Sequence, residues 1–174
     1  MNHVDHVDFL ARADILGALG YDVLISRFEA YYQMADYLAA YTDRPIGIAA
    51  GLPSIQELAD ERYYADLGGG MLESIGRLFK RSVKVYAYPA LDPASGRVLT
   101  IETLPVQAVW RHLRDFLLES GHLVPIRRYD PRLLSIFTKD VLARIQSGDP
   151  AWETMVPPVV ADTIRSKRLF GVRS

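Results

Sequence analysis

Apolar positions recur every three or four residues along much of this chain, and between those stretches lie short runs where they cluster or alternate. The first pattern predicts helices, the second strands. Residues 7–19 carry Val7, Leu10, Ile15 and Leu19 roughly on one side, and Gly20 stops that helix. "DVLIS" (22–26) has the apolar run of a buried strand. Over 28–41, Phe28, Tyr31, Tyr32, Ala35, Leu38 and Ala39 build one apolar helix face. "RPIGIAAG" (44–51) reads as a second strand, and helices follow at 55–64 and 71–80, separated by Gly68, Gly69 and Gly70. "SVKVYAYP" (82–89) alternates strictly, and "VLTI" (98–101) after the turn residues "DPASGR" predicts a short hairpin strand.

The order αβαβααβ implies right-handed parallel crossovers. The predicted fold class is α/β, a short, mostly parallel Rossmann-like sheet of three to four strands flanked by helices. The second half reads as helical. Helix 105–120 has its core face at Val106, Val109, Trp110, Leu113, Phe116 and Leu117. Asp130-Pro131, Asp149-Pro150 and Pro157-Pro158 each open a further helix. With no repeat and no low-complexity linker, one domain over 1–174 is expected, an α/β front (1–101) and a helical back (102–174).

Composition narrows the classes. Apolar residues at 49% and charged residues at 24% are ordinary globular values. A net charge of −1 gives no basic footprint for nucleic acid or an anionic membrane. The absence of cysteine removes disulfides, thiolate zinc sites and cysteine nucleophiles together. No apolar run approaches the ~20 residues of a membrane helix, and the acidic start "MNHVDHVD" is unlike a secretory signal. A soluble cytoplasmic protein is expected.

Three phrases, "ISRFEAYYQMADYLAAYTDRPIGIAAGLPSIQEL", "YYADLGGGMLESIGRLFKRSVKVYAYP" and "IFTKDVLARIQSGDPAWETMVPPVVADTIRSKRLFG", cover nearly all of the chain. They resemble the C-terminal portion of a family of larger bacterial proteins, common in cyanobacteria, whose members are named nicotinate- or nicotinamide-nucleotide adenylyltransferase and also TonB-dependent receptor. The second name implies an outer-membrane barrel of alternating strands, which the helical pattern excludes. The first implies nucleotide chemistry, with paired histidines after the first strand and a serine-rich motif ending in arginine. Here "RFEAYY" follows "DVLIS", and His112 and His122 lie away from any strand end.

Candidate chemistry is sparse. The glycines 68–70 precede a helix, whose free N–H groups suit a phosphate. A Walker loop continues with Lys-Ser/Thr, however, and here "MLES" follows, so a helix–helix joint competes with the phosphate cradle. Parallel sheets bind ligands outside the carboxyl ends of their strands, which delivers Ser26, Arg27, Gly51 and Ser54. Ser26 with Glu29 and Ser54 with Glu57 also match S-x-x-E capping boxes. Arg27 at a helix start opposes the dipole and calls for an anion or a carboxylate partner. His3 and His6, three apart, make a poor metal pair, and no metal is expected. Tyr37 and Tyr41 form a second stripe off the main apolar face, suited to a homo-oligomer or partner-domain interface.

Two readings follow, with enzymatic activity open and no cofactor indicated. One is a binding domain for a nucleotide or other phosphorylated small molecule at the strand ends. The other is a non-catalytic assembly module of a larger complex or homo-oligomer.

Overall fold

The computed structural model describes residues 6–80 and 82–172. In chain order the elements are α1 (His6–Ala18), α2 (Tyr31–Ala39), β1 (Ile46–Gly51), α3 (Leu52–Gln56), α4 (Gly70–Leu78), β2 (Val83–Tyr88), β3 (Ala90–Leu91), β4 (Val98–Leu99), α5 (Ala108–Glu119), β5 (Leu123–Pro125), α6 (Thr138–Ser147) and α7 (Pro158–Lys167). Short 3₁₀ turns lie between them, at Glu57–Ala59, Glu61–Tyr64, Pro131–Ser135, Pro150–Met155 and Leu169–Gly171. The fold is α/β, as the pattern predicts, with a helical C-terminal half.

The residues group into two compact units, one spanning Arg27–Leu134 and the other the segments before Arg27 and after Leu134. In the first, β1, β2 and β5 form a parallel sheet in that order, Ile48 opposite Val85 and Val85 opposite Leu123. β3 and β4 make the separate hairpin predicted around "DPASGR". Sequential strand order with right-handed crossovers places every connecting helix on one face of the sheet. Burial agrees: Ile48, Ala50, Val83, Val85, Ala87 and Leu123 are buried among Ala35, Ile55, Ile75, Leu78, Trp110 and Leu117 of α2 to α5. Each fully buried aliphatic side chain contributes about 1.5–3 kcal/mol.

In the second unit, Ile15 of α1, Val141 and Ile145 of α6, Trp152, and Val160, Ala161 and Ile164 of α7 share a core. Lys167 pairs with Asp14 at 3.0 Å, and the guanidinium of Arg12 stands 5.1 Å over the ring of Phe170.

The helix expected over 55–64 is α3 followed by two 3₁₀ turns, Pro131 opens a 3₁₀ turn rather than a helix, and Val109 and Phe116, expected on the core face of α5, are 75% and 61% exposed. Three further local expectations are overturned. "DVLIS" forms no strand; residues 22–26 are irregular and exposed, Leu24 at 55% and Ile25 at 54%. Five apolar-leaning residues can be read as a strand from the sequence, but a strand exists only where a neighbour accepts its ladder, and β1's sheet neighbour among the described residues is β2. Ser26 does not cap α2, which begins later than the Ser26–Glu29 box requires: Ala30 is its N-cap, and the side chain of Gln33 accepts from the N–H groups of Glu29 and Ala30 at 2.9 and 3.2 Å. Ser54 is no cap either, since Gly51 caps α3 and Pro53 lies in its first turn. In the other direction, β5 escapes the sequence pattern because three residues ending in proline carry no periodicity.

Candidate functional site

Gly51 ends β1 and opens α3, with Ser54 half-buried one turn on. Ser26 and Arg27 lie in the exposed irregular stretch, since no strand precedes them among the described residues and α2 starts four residues after Arg27. The four residues expected to converge at strand ends are therefore not gathered by a strand there. Arg27, exposed and outside the helix, needs no anion to offset the α2 dipole.

What the strand ends do gather is a pocket of about 140 Å³ beside Ala87 and Pro89, closed by Thr100–Glu102 and by Pro125–Arg127 with Tyr129. The N–H of Ile126 donates to the Ala87 carbonyl at 3.0 Å, which holds the segment after β5 against β2. Tyr88 and Tyr129 meet edge to face at 6.1 Å. Arg127, the cation among these lining residues, is bonded to Glu102 at 2.9 Å. That charge is already balanced.

The triple glycine is occupied by the protein itself. Glu73, in the first turn of α4, accepts from the Gly69 N–H at 2.8 Å and from Arg77 at 2.6 Å. The Gly69 N–H holds the Glu73 carboxyl below its ordinary range, ahead of the opposing effect of burial and the help of Arg77. A carboxylate thus stands where a phosphate would. The glycines have local reasons as well. A Cβ on Gly69 would come within 2.8 Å of Glu73 Cβ, and Gly70 has φ +54°. Gly68 has open space around it.

A larger cleft, about 650 Å³, opens between the end of α3, the start of α4 and the start of α5. Gln56, Asp60, Met71, Val106, Gln107 and Trp110 are among its walls. Asp60 is held by Arg62 through both side-chain and backbone bonds, which bring its pKa down to about 2. Trp110 is 4% exposed, and its indole N–H has no acceptor among the described residues. An unsatisfied buried N–H costs roughly 1–3 kcal/mol. Sequence reasoning placed Trp110 in the core face of its helix but gave no sign of the cleft, because Gln56, Met71 and Trp110 come from three separate elements.

No described histidine lines either pocket. His112 is exposed on α5. The backbone N–H of His122 donates to Leu117 and its ring meets Ser120 Oγ at 2.9 Å. His6 is exposed at the start of α1, and His3 lies outside the described residues. Among the described residues no three His, Asp or Glu side chains group as metal ligands, and no helix is long and apolar enough to cross a membrane.

Two surfaces stand out. The face of the sheet opposite the helices carries Gly47 and Ala49 on β1, Lys84 and Tyr86 on β2, all exposed, and half-buried Val124 on β5. Tyr86 leans across Gly47, where an added Cβ would meet its ring at 3.0 Å. The second surface is an aromatic column, Phe28 against Tyr37 at 5.4 Å and Tyr37 against Tyr41 at 5.0 Å, with Tyr41 76% exposed.

No family model, curated protein or solved structure matches the chain.

Proposed function

We propose that this chain is an assembly module, and that a partner covers the uncovered face of its parallel sheet. The carrying observation is that face itself. Parallel sheets occur almost only with both faces covered, whereas a face meant for water is normally polar. Of Gly47, Ala49, Lys84, Tyr86 and Val124, Lys84 alone is charged. The column Phe28–Tyr37–Tyr41 supports the same reading, since exposed tyrosines are enriched at interfaces that are part apolar and part wet.

Light scattering tests the homo-oligomeric form of the proposal. The wild type should give a multiple of 19.6 kDa, and Ala49→Arg with Tyr86→Glu should return the single-chain mass without loss of helical circular dichroism. A wild type monomeric at every concentration sinks self-assembly. A partner would then be sought by cross-linking from Lys84.

Binding of a phosphorylated small molecule is the second reading, favoured by the strand-end pocket that contains Arg127. It requires Glu102 to release Arg127, or Glu73 to leave Gly69. A thermal-shift screen with ATP and sugar phosphates separates the two. The assembly reading expects no shift.

A further inference from the structure

The outer edge of β1 is an open hydrogen-bonding template. β1 ends the sheet order, and its register with β2 runs unbroken from Ile46 to Gly51. The Val85 N–H donates to the His122 carbonyl at 2.8 Å and the Ala87 carbonyl accepts from Ile126, so these residues of β2 turn their main chain toward β5. Lys84 and Tyr86 turn theirs the other way and bond along Ile46, Ile48 and Ala50. That leaves the N–H and C=O groups of Gly47 and Ala49 pointing away from the sheet. No backbone bond outside the sheet reaches them among the described residues. Edge strands are normally guarded by a charge, a proline or a bulge. β1 has none of these, and its exposed side chains are a hydrogen and a methyl group.

The chain carries a segment that matches this edge in length and pattern. Over residues 22–26, Val23, Leu24 and Ile25 are exposed, and their main chain makes no backbone bond among the described residues. Aligned with residues 47–51 in either direction, Leu24 falls opposite Ala49. Leu24 then extends the bare face beside Ala49, flanked by Asp22 and Ser26. Val23 and Ile25 fall on the face where Ile48 and Ala50 are buried, and β-branched side chains suit a covered sheet face. A slip by one residue would exchange the two faces, so the pattern fixes the register.

We propose that residues 22–26 of a second copy add to the outer edge of β1 as a fourth strand. Each copy holds one open edge and one segment without a ladder, so the exchange is reciprocal and closes as a two-fold dimer. This rests on the assembly reading in its homo-oligomeric form, and adds which copy's residues do the joining.

The chain has no cysteine, so introduced thiols report the contact without background. Leu24→Cys and Ala49→Cys chains, refolded together from urea and oxidised, should give a covalent species of twice 19.6 kDa, in clear excess over either variant alone. Neighbouring strands hold such a pair within disulfide reach. With both substitutions in one chain the double mass should persist. A cross-link at the single-chain mass overturns the proposal, because the chain's own segment then lies on β1, and so does a mixture without excess cross-linking. Leu24→Pro with Ile25→Pro removes ladder donors from a segment that is already exposed and irregular. Helical circular dichroism should persist while light scattering falls to the single-chain mass. A proline variant that keeps the double mass, when Ala49→Arg with Tyr86→Glu loses it, overturns strand exchange and leaves sheet-face assembly standing. The single mass in the proline variant, with the double mass kept by Tyr86→Glu alone, supports the exchange and removes the sheet face. A wild type monomeric at every concentration overturns the exchange together with self-assembly.

Discussion

Gly68, Gly69 and Gly70 sit side by side, yet the structure constrains the last two for different reasons and leaves the first free, and substitution separates them. Gly68→Ala meets nothing and should change stability by less than about 0.5 kcal/mol. Gly69→Ala drives a methyl into Glu73 and should cost roughly 1–3 kcal/mol. Gly70→Ala forces a side chain into the left-handed region, at a cost of about 1–2 kcal/mol. Urea denaturation without any ligand reads all three, and a sensitive Gly68 would contradict the packing account. Arg114 is the other residue whose environment dictates an outcome. It is 7% exposed, donates to the Leu104 carbonyl at 3.1 Å and is bonded twice to Asp115. Arg114→Ala should cost about 3 kcal/mol by stranding that carbonyl. Arg114→Lys should recover only part, because an ammonium lacks the planar fork.

Three 3₁₀ turns open on an aspartate: Asp60, Asp130 and Asp149 accept the N–H two residues on at 3.0, 3.0 and 2.9 Å. In each the carboxyl is held below its ordinary range, first by the Arg62 side chain for Asp60, by the Arg132 side chain for Asp130 and by the Ala151 N–H for Asp149. A depressed carboxyl stabilises the fold above its unfolded pKa, about 3.9, and that contribution is lost as pH falls through the folded value, about 2 for Asp60. The melting temperature should therefore drop between about pH 4 and pH 2. Asp60→Asn should lower it at neutral pH and flatten the acid limb, as followed by circular dichroism. These caps were legible in part: Asp130-Pro131 and Asp149-Pro150 announce their turns because the signal is local, within three residues. The helices α1, α2, α4 and α5 and the strand β2 were legible from periodicity, α7 from Pro157-Pro158 and β1 from its run of small apolar residues. "DVLIS" was not, because pairing depends on a neighbour, and neither was the cleft, which three elements assemble.

For the whole molecule, the decisive property is strand order. β1, β2 and β5 follow one another in space as in sequence, so the crossovers coat one face and leave the other bare. Replacing Ala49 and Tyr86 by charged residues should then leave the fold intact, since both side chains are already exposed, and lower the melting temperature only by the stability that a covering partner contributes. The same change at Val85, 2% exposed on the coated face, should unfold the protein. Tyr37→Glu with Tyr41→Glu asks whether the aromatic column shares in assembly. A reduced mass by light scattering joins it to the sheet face, and an unaltered mass removes it.

The bare face also bears on supply inside a cell. If a partner covers Tyr86 and Ala49 as proposed, a copy made in excess of that partner would leave this sheet surface open to chaperones and proteases. Abundance of this chain would then track that of its companion, the surplus being degraded rather than stored. If a partner covers the face as proposed, the strand order that leaves it bare would make an unpartnered copy short-lived.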